Sequence, residues 1–178
     1  LEAQNVQLNL SGQVNNLPEG RLFADDLLTL NAGSWRNDGQ LICNNVIISS
    51  GRGQNSGLLQ GDTGLKLAVS GLDNDLAGKI VSGGLLDITG QQLNNNGLMQ
   101  GQNILLHGAD FNNAGSLTGK SDLTLNVDNT AIVTGQMLSQ GKLQLAANHL
   151  DNSGILAANA LSVRTGELNN TGTLQSNG

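Results

Sequence analysis

The sequence predicts an all-β protein, a parallel β-helix of about nine coils with three short strands in each coil. Three observations lead to this prediction: a glycine recurs every 18–21 residues, large apolar residues follow it at fixed offsets, and a small residue stands between them. Self-similarity at a fixed period is typical of proteins whose units stack on one another. The repeat runs from residue 1 to residue 178, so we predict a single repeat segment.

Nine glycines mark the predicted coil starts, at spacings of 19, 18, 21, 19, 18, 20, 19 and 18 residues. They are Gly20, Gly39, Gly57, Gly78, Gly97, Gly115, Gly135, Gly154 and Gly172. A large apolar residue stands two positions after each glycine, and a small residue stands four positions after it. We therefore expect each position to form one internal column, with Leu41, Leu59 and Ile80 as consecutive members of the first.

An apolar pair follows in each complete unit, as at Leu143 and Leu145 in the coil that starts at Gly135. A spacing of two places both side chains on one face of a strand. A third apolar residue, such as Leu150, ends most units four residues before the next glycine. Leucine-rich repeats are the alternative architecture, but they need a helix or another return segment, and here every segment alternates apolar and polar residues.

Differences in unit length predict the corners of the coil. The 18-residue units lose a residue between the first two strands, and the longer units gain residues in the third segment, around 72–77 and 127–134. Corners accept such changes, whereas a slip inside a strand would turn every following side chain to the wrong face.

Asparagine stands two residues before the glycine in six of the nine units. The six are Asn37, Asn55, Asn95, Asn113, Asn152 and Asn170. Asparagine and glycine both tolerate the left-handed backbone that we expect at a tight corner. Stacked coils would also align the amides into a hydrogen-bonded ladder. This architectural role is favoured over the alternative, an asparagine-lined ligand groove.

Composition excludes several classes of function. The net charge is −6 and the eight Lys and Arg residues do not cluster, which argues against nucleic-acid binding. No apolar run reaches the roughly 18 residues that a membrane-spanning helix needs. The single cysteine, Cys43, falls in the small-residue column and allows no disulfide within the chain.

The sequence offers no convincing set of catalytic or metal-binding groups. His107 and His149 lie at different offsets and should not stack. Three aspartates share one corner, namely Asp25, Asp26 and Asp62, but later coils place other polar residues there. A calcium-dependent polysaccharide lyase would need several converging carboxylates together with Arg or Lys. We therefore predict no catalytic residue, no cofactor and no metal site, and the protein is not expected to be an enzyme.

The repeat resembles the haemagglutinin repeat of the filamentous haemagglutinin family, most clearly in GLMQGQNILLHGADFNNAG (97–115) and GQMLSQGKLQLAANHLDNSG (135–154). That family comprises exoproteins of two-partner secretion in Gram-negative bacteria, including adhesins and contact-dependent growth-inhibition effectors. The resemblance implies a right-handed β-helix, the hand that the crossover rule also favours. It further implies an outer-membrane two-partner secretion transporter as partner, and secretion to the cell surface.

Two features of the sequence depart from a whole protein of that family. Its secretion domain carries an Asn-Pro-Asn motif, which is missing here because Pro18 is the only proline. The sequence also begins and ends within a repeat, and the stretch itself contains none of the carboxy-terminal toxin domains of growth-inhibition effectors. We therefore expect a shaft segment of a much longer exoprotein, whose exposed edge strands would favour end-to-end association of the isolated fragment.

Three functions remain open at this stage: a structural shaft, an adhesin that contacts a host-cell or target-bacterium receptor or a glycan through its flank, and, remotely, a polysaccharide-acting enzyme. Outward apolar residues would serve the adhesin, and so would the irregular third segments of the coils that start at Gly57 and Gly115. The candidate contact residues are Phe23, Leu58, Leu98, Leu72, Asp73 and Asp75.

Overall fold

The computed structural model describes residues 2–178, with side chains from residue 3 onward. All described strands belong to one sheet of 15 strands whose paired neighbours run parallel, and the described residues include no helix. Each strand pairs with its counterpart in the coil before and the coil after. The predicted parallel β-helix of about nine coils is confirmed.

The strands are β1 (Glu2–Asn9), β2 (Gln13–Asn16), β3 (Arg21–Asn37), β4 (Gln40–Asn55), β5 (Leu58–Asn74), β6 (Lys79–Ser82), β7 (Leu85–Asn95), β8 (Leu98–Gly101), β9 (Asn103–Asn113), β10 (Ser116–Gly119), β11 (Leu123–Val127), β12 (Thr130–Val133), β13 (Gln136–Asn152), β14 (Ile155–Asn170) and β15 (Thr173–Ser176). Strands β3, β4, β5, β13 and β14 have 16 or 17 residues and follow nearly a whole coil. The coil that starts at Gly115 instead consists of three separate strands, β10, β11 and β12.

The internal columns are those that the repeat predicts. Leu41 pairs with Leu59, Leu59 pairs with Ile80, and all three are at most 2% exposed. The register shifts between Cys43 and Asn45, at the corner that joins the first and second segments of the coil. Length changes between these segments therefore leave the strand registers on either side intact.

The third internal column places a glycine beside its largest residue. Trp35 pairs with Gly53, and Gly53 pairs with Leu72 in the next coil. Leu72 is 1% exposed, so its expected role as a partner contact is wrong. Its side chain packs inside the coil because it occupies the position that Leu93 holds in the following unit.

The corner glycines act through close backbone approach. No described residue has a positive φ, so the expected left-handed backbone at these corners is wrong. A Cβ at Gly97 would overlap the carbonyl oxygen of Gly78, which accepts a 3.0 Å hydrogen bond from the amide nitrogen of Leu98. The same contact with the preceding glycine recurs at most coil starts, so the corner has no room for a side chain.

Two corners carry inserted turns. The amide of Gly20 donates to the carbonyl of Leu17 at 2.7 Å, and the amide of Gly78 donates to the carbonyl of Asp75 at 2.8 Å. The second turn contains the extra residues that the sequence places within 72–77, and Leu76 at its tip is 85% exposed. In the coil that starts at Gly115, the additional residue lies instead in the turn at 128–129.

Candidate functional surfaces

The corner asparagines form a buried ladder of hydrogen bonds. The Nδ2 atom of Asn37 donates to Oδ1 of Asn55 at 2.8 Å and also to the carbonyl oxygen of Leu58 at 3.0 Å. Both asparagines are at most 1% exposed. The predicted ladder is confirmed, and because its amides are buried and bonded to each other, they do not line a ligand groove.

Sequence reasoning missed two members of the ladder, Asn16 and Asn74. Asn16 donates to Asn37 at 2.7 Å, and Asn74 donates to Asn95 at 2.8 Å. The inserted turns place these residues four positions before the next glycine. Counting forward from the third apolar residue would have found Asn74. Residues 72–74 read Leu-Asp-Asn, the same triplet as residues 150–152, which end in a ladder asparagine.

The first outer face consists of the residues one and three positions after each coil glycine. It brings together three of the predicted contact residues, Phe23, Leu58 and Leu98, all of them half-buried. Phe23 pairs with Ile42 of the next coil, whereas Lys79 separates Leu58 from Leu98. From Gly20 onward this face carries no Asp or Glu, so it is an uncharged to slightly basic strip on an acidic chain.

A cavity of about 330 Å³ opens where this face meets the next corner. Phe23 and Ile42 form its apolar wall, with Asp25 and Asp62 among its lining residues. Cys43 also lines it but is 2% exposed, and burial raises the pKa of its thiol. An uncharged, buried thiol is a poor nucleophile, so this cavity lacks an activated group.

The second outer face consists of the outward residues beside the inward apolar pair of each coil. A shallower depression of about 560 Å³ lies on this face. Leu27, Ile47 and Leu85 border it, and Gly64 leaves space between them. Lys66 and Asp87 stand at its edge with their charged atoms 4.0 Å apart. We did not predict this surface, although an outward apolar residue beside an inward one, as at Ile47, was its sequence signal.

The third outer face consists of the residues directly before and after each member of the third internal column. This face is polar, and its charges are largely paired. Arg52 forms an ion pair with Asp73, which also accepts a 2.9 Å hydrogen bond from Asn94. Asp75 is exposed at the inserted turn and accepts a 3.2 Å hydrogen bond from the hydroxyl of Ser56. Asp73 and Asp75 thus lie on or beside this face, away from Phe23, and the predicted contact residues do not form one site.

Arg36 and Asp38 form a second ion pair, with 2.7 Å between Nε and Oδ2. This hydrogen bond lowers the pKa of the Asp38 carboxyl and raises the pKa of the Arg36 guanidinium. Asp38 also accepts a 2.9 Å hydrogen bond from the hydroxyl of Ser56 in the next coil. The hydrogen bond between Asp38 and Ser56 therefore ties neighbouring coils together, while the ion pair leaves neither Arg36 nor Asp38 as a free charge.

His149 lies between two carboxylates on this face. Its Nε2 is 2.9 Å from Oδ1 of Asp151, and its Nδ1 is 3.2 Å from Oε2 of Glu167 in the next coil. Partial burial lowers the pKa of His149, but the hydrogen bonds and charges of Asp151 and Glu167 raise it by more, so the net shift is upward. His107 is exposed on the second face, and the two histidines do not come together, as predicted.

Among the described residues, no group of three or more His, Cys, Asp or Glu side chains is placed to hold a metal ion. A search of the same residues finds no helix long and apolar enough to cross a membrane.

A chain in which coil after coil buries the same set of side chains is a β-solenoid repeat protein. Residues 3–51, 44–109 and 104–178 each match the haemagglutinin repeat, and the chain belongs to the haemagglutinin-repeat family. The expected resemblance to filamentous haemagglutinin-type exoproteins is confirmed.

The chain is also similar to curated proteins of enteric bacteria. It is 34% identical over 174 residues to Toxin CdiA of Escherichia coli, an alignment that covers 87% of the chain and 6% of the relative. It is 35% identical over 135 residues to the 16S rRNA endonuclease CdiA of Enterobacter cloacae, which covers 75% of the chain and 4% of that relative. It is 37% identical over 127 residues to the deoxyribonuclease CdiA of Dickeya dadantii, an alignment that covers 70% of the chain and 4% of the relative. No solved structure matches the chain significantly.

Proposed function

We propose that this chain is a non-catalytic shaft segment of a secreted, surface-displayed exoprotein, which extends adhesive or toxic modules located elsewhere in the parent protein. The observation that carries the proposal is the repetition of one buried residue set along the whole chain. Outward positions, in contrast, change from coil to coil, as Leu58, Lys79 and Leu98 do on the first face. At about 4.8 Å per coil, nine coils extend the parent protein by roughly 40–45 Å.

The relatives support a role that is independent of any one reaction. Proteins named as a toxin, a 16S rRNA endonuclease and a deoxyribonuclease each align with more than two thirds of the chain. The chain spans only about 4–6% of their lengths. A segment that accompanies different named activities serves best as a common support for them.

Membership of the family also underlies our proposals on export and location. We infer that an outer-membrane two-partner secretion transporter exports the parent protein of a Gram-negative bacterium. The transporter is the partner for which family membership argues most directly. A β-helix suits this route because each coil contacts only its neighbours, so that coils can fold one after another as they emerge.

Deletion of whole coils in the parent protein tests the shaft. Removing residues 78–134 takes out three coils and joins Ala77 to Gly135. Leu59 would then stack on Met137, and Asn74 on Asn152, so the columns and the ladder are kept. We expect normal secretion, unchanged adhesion or target-cell inhibition, and a filament shorter by about 14 Å.

The matched control removes residues 78–125, which ends the deletion inside β11 and destroys the register. We expect this variant to misfold and to fail at the surface. Loss of adhesion or inhibition by the three-coil deletion, despite normal folding and secretion, would contradict a pure spacer.

A direct adhesin is the second candidate, favoured by the strip of half-buried apolar residues on the first outer face. The test replaces Leu58 and Leu98 by serine in the parent protein and measures binding to host cells, target bacteria and glycan arrays. The control variant is Leu105→Ser, which alters an exposed leucine of the second face. Binding that falls only in the double variant supports the adhesin, and unchanged binding supports the shaft.

A further inference from the structure

The asparagine ladder is interrupted at one coil. Val133 pairs with Asn113 on one side and with Asn152 on the other, in the position that asparagine occupies in both neighbours. A valine side chain has no hydrogen-bond donor. The Oδ1 atom of Asn152 is consequently buried without a hydrogen-bond partner.

The coil that contains Val133 is also the most interrupted along the described chain. Its three strands, β10, β11 and β12, are separated by non-strand residues at 120–122 and 128–129, whereas β13 of the next coil runs unbroken through 17 residues. Asp128 and Asn129 are exposed in the second interruption. The missing side-chain bond and the interrupted strands thus lie in the same coil.

We propose that the junction between coil 115–134 and coil 135–153 is a built-in opening point, at which the rod separates into two cooperative blocks. In a solenoid each unit contacts only its neighbours, so the stability of the whole is close to a sum over junctions. A buried acceptor without a donor weakens the junction at which it lies. Local opening starts where the free energy of separating the structure is lowest.

Matched amides allow a direct test by hydrogen exchange measured with NMR. The amides of Ser153 and Gly154 donate to the carbonyl of Val133 at 2.9 and 3.0 Å, across the proposed opening point. Those of Ala114 and Gly115 both donate to the carbonyl of Asn95 at 2.9 Å, across an intact rung of the ladder. We expect exchange to be faster at the first pair than at the second.

Two reciprocal variants separate this proposal from simple fraying of the chain end. Val133→Asn supplies the missing donor and should slow exchange at Ser153 and Gly154 about tenfold. Asn95→Val creates a second interruption and should speed exchange at Ala114 and Gly115 by a similar factor. The surface control Thr134→Ala should change neither pair.

Equal exchange of the two amide pairs in the natural chain would overturn the proposal. So would unchanged rates in Val133→Asn, since end fraying does not depend on that side chain. If Val133→Asn does not fold, Asn95→Val still decides the question, because unchanged exchange around Asn95 would show that the ladder does not set the opening point.

Discussion

The indole ring of Trp35 lies against Gly53 of the next coil, in a space that only glycine leaves open. A Cβ at position 53 would stand 2.5–2.6 Å from three atoms of the ring. Trp35 itself is 2% exposed, so the ring is enclosed by the core. In the coil after Phe111, the small Ala131 likewise occupies the same column.

Gly53→Ala should therefore destabilise the protein. The added methyl group must displace a buried ring, and overpacking of this kind costs about 1–3 kcal/mol. Gly71→Ala is the matched control, because a Cβ there meets its nearest atom at 3.7 Å. Urea denaturation should give a lower midpoint for the first variant and a change within about 0.5 kcal/mol for the second. Equal stability of the two variants would refute the size relationship.

Asn55→Val should destabilise the protein through the ladder. Asn55 donates to Oδ1 of Asn74 at 2.8 Å, and valine would leave that buried acceptor without a donor. An unsatisfied buried acceptor costs about 1–3 kcal/mol, which thermal denaturation can measure. The control is Asn44→Ala, at an exposed corner position outside the ladder. A variant as stable as the natural chain would show that the amide bonds contribute little.

The contacts of His149 predict a stability that depends on pH. Its pKa lies above the ordinary value of 6.5, so the folded state holds the proton more tightly than the unfolded state. This contribution is complete below pH 6.5 and is lost as pH rises through the folded pKa. Asp151 has the opposite sign: the hydrogen bond from Asn169 lowers its pKa, so its contribution is present above pH 3.8 and lost as pH falls.

NMR titration of the His149 ring is the measurement for these shifts. We expect Glu167→Gln and Asp151→Asn each to lower the pKa of His149, because each removes a negative charge beside the ring. A His149 pKa that stays unchanged in both variants would contradict the arrangement of charges described above.

Cys43 should report on opening of the rod. Its thiol is buried and its pKa is raised, so only a small fraction is thiolate at neutral pH. A thiol reagent at pH 7 should label the native protein very slowly and label it fully in urea. Fast labelling of the native chain would mean that the coil around Cys43 opens readily.

The repeat made most of the fold predictable, since Leu41, Leu59 and Ile80 sit at a constant offset from their glycines. Errors arose where the offset changes. Leu72 precedes an inserted turn, and counting backward from Gly78 therefore placed a core residue among the surface contacts. The corner backbone was also misjudged, because close approach of carbonyl groups selects glycine there just as a left-handed conformation would.

The outer surfaces were harder to predict for a physical reason. Inward residues obey the repeat because they must stack, but outward residues have no such constraint. The depression around Gly64 depends on side chains from neighbouring coils, among them Leu27 and Leu85, and no single unit contains it. The unpartnered oxygen of Asn152 likewise follows from a residue 19 positions earlier.

The ladder of corner amides has a direction. Along the unbroken rungs Nδ2 donates toward the carboxy-terminal side, as from Asn37 to Asn55, and Oδ1 accepts from the amino-terminal side. A coil docked upside down would therefore face like atoms with like atoms. Consecutive turns of the parent chain can accordingly extend the ladder in only one orientation.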